Sequence, residues 1–165
     1  MARAMALIGR FAVIVLGYAV AITAASLFLH AMVVPVLGFT TDEEQWLALG
    51  GLVVSVPFVA VVIGYFAFLP AAFAIIVSEL LRWRGFLFHA FAGAMTALAA
   101  AATYRANGVL VIEGFDAAQA APLSPAADAD LTLVVLATGM VAGIAYWMLA
   151  GRGAGSWRRE TDQRA

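Results

Sequence analysis

The sequence predicts an all-α integral membrane bundle of four transmembrane helices, the second long and proline-kinked. Three observations carry this. Hydrophobic residues make up 65% of the chain and charged ones 12%, against about 25% charged in an ordinary soluble domain, and a chain of 165 residues cannot hide that much apolar surface from water. Four apolar runs reach the roughly 20 residues a bilayer crossing needs. The charges between those runs sort by sign onto alternate sides.

The spans are read at about 11–37, 46–78, 86–104 and 131–150 of one transmembrane domain. The first follows Arg3 and Arg10 and passes a small-residue triplet, Ala19-Val20-Ala21, that looks like a signal-peptidase site. The apolar run continues well beyond it, so an uncleaved helix is expected. In the second, Leu47–Val77 would be about 46 Å long at 1.5 Å per residue, so a bend at Pro57 or Pro70 is expected. "GYFAFLPAAF" offers no polar turn residues, which argues against two spans folded back at Pro70. The third span closes at Tyr104. Residues 105–130 form an extracytoplasmic loop: "VLVIEGF" is a weak contact candidate there, and "DAAQAAPLSPAADAD" reads as a flexible linker. Residues 151–165 form a tail with an aromatic and basic anchor at Trp157, Arg158 and Arg159.

Arg3, Arg10, Arg82, Arg84, Arg152, Arg158, Arg159 and Arg164 fall on one side of a four-span topology, and only Arg105 on the other. Asp42, Glu43, Glu44, Glu113, Asp116, Asp128 and Asp130 fall opposite. By the positive-inside bias both termini and the Ser78 to Gly85 turn are cytoplasmic, and the acidic connections lie outside.

Several chemistries are excluded. Cysteine is absent, which removes thiol catalysis, disulfide exchange and cysteine-ligated metals. Without a basic stripe, nucleic acid is not a partner. No Asp, Glu, Lys or Arg lies deep in a span, so proton relays and the small exporters built on an embedded glutamate do not fit. His30 and His89 lie at opposite depths and cannot share a haem. The glycine run after Leu149 has neither a preceding strand nor a phosphate-loop pattern. No acid and base pair shares a depth, so no enzyme, no cofactor and no metal site is expected.

What remains is packing and a few polar positions. Gly17, Ala21 and Ala25 form one small-residue stripe, Gly93, Ala97 and Ala101 a second, and Gly139 with Gly143 a third. Such faces let helices approach closely, within the bundle or against a partner or second copy. Thr23, Ser26 and His30 share a face of the first helix; the two hydroxyls are expected to bond back to their own helix carbonyls and His30 to sit wet at the headgroups, with a small polar pocket opening outward as the sharper alternative. In "SELLRWRGFLFHAF", Glu79 and Arg82 are expected to pair at the surface, with Arg84 beside them and Gly85 permitting the reversal. His89 is expected to be solvated at the interface, the alternative being a bond to Glu79 or a partner.

The stretches "SELLRWRGFLFHAFAGA" and "YWMLAGRGAGSWR", Ser78–Ala94 and Tyr146–Arg158, resemble those of small uncharacterised four-helix inner-membrane proteins of alphaproteobacteria. That resemblance implies a location and no activity. The expected role is a non-catalytic accessory, assembly or structural subunit in the lipid bilayer; the alternative is a small permease or lipid-handling protein.

Overall fold

The structure, a computed structural model, describes residues 2–33, 42–107 and 125–156. It is an all-α integral membrane bundle: helices α1 (Ala2–Val33), α2 (Asp42–Leu81), α3 (Phe86–Asn107) and α4 (Pro125–Leu149), then a 3₁₀ turn at Gly151–Gly153. Each helix contains a segment long and apolar enough to cross a bilayer. Backbone polar groups have no water partner in hydrocarbon, so a helix that bonds internally is the conformation such a sequence can take there.

The helices form a ring in chain order, each packed on its sequence neighbours, with α4 closing on α1. The tightest seam is α3 on α4 and the next α1 on α4, while α2 is held more lightly. Neighbours run antiparallel. Tyr18 meets Gly64 and Ser26 meets Val56 across α1 and α2, while His89 and Gly93 meet Gly143 and Gly139 across α3 and α4. The start of α1, the α2–α3 turn and the end of α4 thus gather at one end of the bundle, called here the turn end.

α2 is a single helix of 40 residues with Pro57 and Pro70 inside it, as expected in place of two spans folded back at Pro70, and it extends beyond the expected 46–78 at both ends. One boundary departs further. α4 begins at Pro125, six positions inside the expected linker, because proline suits the first helical position, where a missing N–H costs nothing. The "VLVIEGF" segment and the Trp157, Arg158 and Arg159 anchor lie outside the described residues.

Small residues decide the α3–α4 seam. A Cβ on Gly139 would stand 2.6 Å from the Ala97 Cβ and 2.9 Å from the Ala94 Cα. The stripes of Gly93, Ala97, Gly139 and Gly143 therefore face one another inside the bundle. Gly17 likewise faces Tyr146 and Ala150 of α4.

The α1–α2 seam uses hydroxyls instead. Tyr18 donates to the Gly64 carbonyl at 2.6 Å and Ser26, fully buried, to that of Val56 at 2.7 Å. Ser26 thus departs from the expected bond to its own helix. Thr23 does bond back, to Ala19 at 2.9 Å, and the His30 ring donates to the Ser26 carbonyl at 2.8 Å, so the three residues do not build a pocket. Interhelical hydrogen bonds in membranes average about 0.6 kcal/mol. Tyr18→Phe and Ser26→Ala should each lower stability by about that much in detergent-driven unfolding, and by more only if the freed carbonyls stay unmet.

Candidate functional site

The turn end holds the polar chemistry. α2 stops where the Trp83 N–H reaches back to the Ser78 carbonyl at 3.0 Å, with Arg82 between them in the left-handed region at φ 58°. This six-residue closure satisfies a terminal carbonyl of α2. It places the reversal on Arg82, not on the expected Gly85, which has no positive φ. Gly85 instead caps α3: its carbonyl accepts the His89 backbone N–H at 3.4 Å and the His89 ring Nδ1 at 3.0 Å.

The expected surface pair of Glu79 and Arg82 does not form. Glu79 turns inward to Arg10 of α1; the two make an ion pair through Nη2, with Nε also donating at 3.0 Å, and their side chains are only 10% and 12% exposed. The other Glu79 oxygen accepts the Gly155 N–H at 2.8 Å, and Arg10 donates to the Ala150 carbonyl at 2.9 Å. One carboxylate and one guanidinium therefore tie α1, α2, the end of α4 and the segment after it. Charges this deep persist only when paired and hydrogen-bonded.

A second tie lies beside the first. The Trp147 indole donates to the Arg84 carbonyl and Arg84 Nε to the Ala154 carbonyl, both at 2.8 Å, and the Arg152 guanidinium sits 4.4 Å over the Trp147 ring. Gly155, at φ 65°, lets the segment turn under Glu79; a Cβ there would stand 3.1 Å from the Glu79 carbonyl oxygen.

His89 also departs from the expectation. It is 4% exposed, not solvated, and stacks on Tyr146, itself 6% exposed, with ring centroids 5.8 Å apart. It makes no bond to Glu79. Its Nε2 faces Gly151, where a Cβ would stand 2.8 Å away, and neither that nitrogen nor the Tyr146 hydroxyl has a hydrogen-bond partner among the described residues. Leaving a buried polar group unmet costs about 1–3 kcal/mol.

Above this stack the four helices line a half-open cavity of about 380 Å³ whose walls are almost wholly apolar. Alanines and glycines of α3 and α4 leave the space, and Ile22 of α1, Phe66 and Ile75 of α2 and Tyr104 of α3 bound it. Phe66 and Tyr104 meet edge to face at 5.4 Å across the α2–α3 seam. Among the described residues no group of three metal-ligating side chains converges.

The site thus combines His89 and Glu79 with Arg10 and Tyr146, which the sequence reading left out of its candidates. Arg82 stays exposed, and Arg84 serves the second tie. Arg10 could have been found: it stands seven residues before Gly17, on the stripe that continues to Ala21 and Ala25, so it shares the packing face. Fold and site together define a four-helix integral membrane protein with a half-open apolar cavity between its helices. Compared with protein-family models, characterised proteins and solved structures, the chain finds no match.

Proposed function

We propose that this is a lipid-handling protein of the bacterial inner membrane that holds a lipophilic chain within its bundle and performs no chemistry of its own. The observation that carries this reading is the cavity of about 380 Å³ walled from all four helices by apolar side chains. Ligand pockets fall at about 300–1,000 Å³. An apolar cavity does not hold water, and in a bilayer hydrocarbon is the neighbour available to occupy it. The same walls turn the reading away from a permease for polar solutes. Both termini and the Ser78–Gly85 turn are cytoplasmic in this proposal, on the strength of the arginine distribution.

Filling the cavity tests it. In protein purified in mild detergent, native mass spectrometry should find bound lipid. Ala74→Phe and Ala100→Phe, both on the cavity wall, should remove most of it, while Val61→Phe on the exposed face of α2 should not. Equal lipid in all three variants and the parent would overturn the reading.

The accessory-subunit reading is favoured by a different observation: Arg82, Trp83 and Arg152 are exposed together at the turn end, where basic and aromatic side chains suit a partner or anionic headgroups. Crosslinking in native membranes tests it. A protein that crosslinks to no neighbour and purifies as a lone monomer would sink it.

A further inference from the structure

Two arginines at the turn end are neither buried nor paired. Arg82 and Arg152 are exposed, and among the described residues neither takes part in an ion pair. Glu79, on the same turn of chain as Arg82, has both carboxylate oxygens engaged, one by Arg10 and the other by the Gly155 N–H. The depth of the two guanidinium groups is set by the chain. The second and fourth apolar spans end at Leu81 and Leu149, so Arg82 and Arg152 stand just beyond the hydrocarbon, where the headgroups of a bilayer lie. Both are also held from within the protein. Arg82 leaves its helix at φ 58° with its side chain against Gly155, and the Arg152 guanidinium rests 4.4 Å over Trp147, whose indole is tied to the Arg84 carbonyl. Around them Leu81, Trp83, Phe86 and Leu149 are exposed. In a bilayer these side chains face lipid, so the neighbour that reaches the two arginines is a headgroup.

We propose that this rim binds the phosphodiester headgroups of anionic phospholipids through Arg82 and Arg152. A guanidinium offers a phosphate two parallel N–H donors. A zwitterionic lipid brings its own cation to the same place, whereas an anionic lipid leaves its charge for the protein to meet. Trp83 sits at the boundary between headgroup and chain, the level that indole rings prefer. The inference does not depend on the cavity, since it concerns lipid at the periphery of the bundle.

The full chain in nanodiscs of equal phosphatidylglycerol and phosphatidylcholine tests this. Lipid that stays with the protein on release into mild detergent is counted by class in native mass spectrometry. Phosphatidylglycerol should be retained about fivefold over phosphatidylcholine, the preference that one basic side chain near the surface supports. Replacing both residues, Arg82→Gln with Arg152→Gln, should bring the two lipids to near parity. Arg82→Lys with Arg152→Lys, which keeps the charge, should hold more of the preference than the glutamine variant. Ala74→Phe, on the cavity wall, should lower the total lipid without lowering the ratio, so the rim and the cavity fail separately. Parity of the two lipids in the parent would overturn the inference. So would a glutamine variant that keeps the full preference; if that variant also lost a crosslinked protein neighbour in native membranes, the rim would belong to a protein partner instead.

Discussion

Glu79→Ala is expected to destabilise the bundle by about 3–5 kcal/mol, because it strands the Arg10 guanidinium in a nearly closed site. Three bonds go with it: the ion pair, the second Arg10 contact and the Gly155 N–H. Arg10→Ala should cost a similar amount by stranding the carboxylate. The double replacement by methionine should cost far less than the sum, since exchanging a buried pair for apolar groups of similar volume is often neutral or better. Unfolding in mixed detergent, followed by loss of helix, gives the three values and the coupling between the sites. If each single variant loses under about 1 kcal/mol, the pair behaves as a surface salt bridge, and the buried tie described here is wrong. The Glu79→Ala protein should also release the segment around Gly155, seen as faster amide exchange there.

The second large effect lies at the α3–α4 seam. Gly143→Ala adds one methyl carbon that would run into the His89 carbonyl, 2.9 Å from its carbon atom, and stand 3.2 Å from the Gly93 Cα. Alanine has the better helix propensity by about 1 kcal/mol, so the sign of the result separates the two effects. Backbone cannot swing aside as a flexible side chain can, and overpacking of this kind costs about 1–3 kcal/mol. A net loss is expected for Gly143→Ala, and Gly143→Leu should separate the helices outright. Gly9→Ala is the control: a Cβ there meets nothing within 4 Å, so it should be neutral or slightly stabilising. A stable Gly143→Leu protein would mean the seam is not packed as described.

Much of the fold was legible because lipid imposes a simple rule: backbone groups must be satisfied within the segment, and apolar runs of sufficient length become helices. The four spans, the continuity of α2 past Pro70 and the small-residue stripes follow from that rule. The start of α4 was misplaced because Ala, Pro and Asp in residues 116–130 have the composition of a linker, and composition does not report that Pro125 opens a helix.

The site was less legible. Glu79 was assigned to Arg82 by spacing of three along one helix, yet Arg82 is the residue that leaves the helix, at φ 58°, and its side chain is carried off the face that Glu79 occupies. Only a second helix could supply Arg10, 69 positions away in the chain. His89 looked solvated because it follows a polar turn closely. It is buried because Tyr146 from α4 covers it, and Tyr146 is held there by packing against Gly17 of α1.

The sequence by itself determined that this chain lives in a membrane, how many times it crosses and where its helices can approach, since those depend on local composition and period. Tertiary structure alone decided which charges are buried, which polar atoms lack partners and where space remains between the helices. Those depend on which faces of separate segments meet, and no single segment encodes its neighbour.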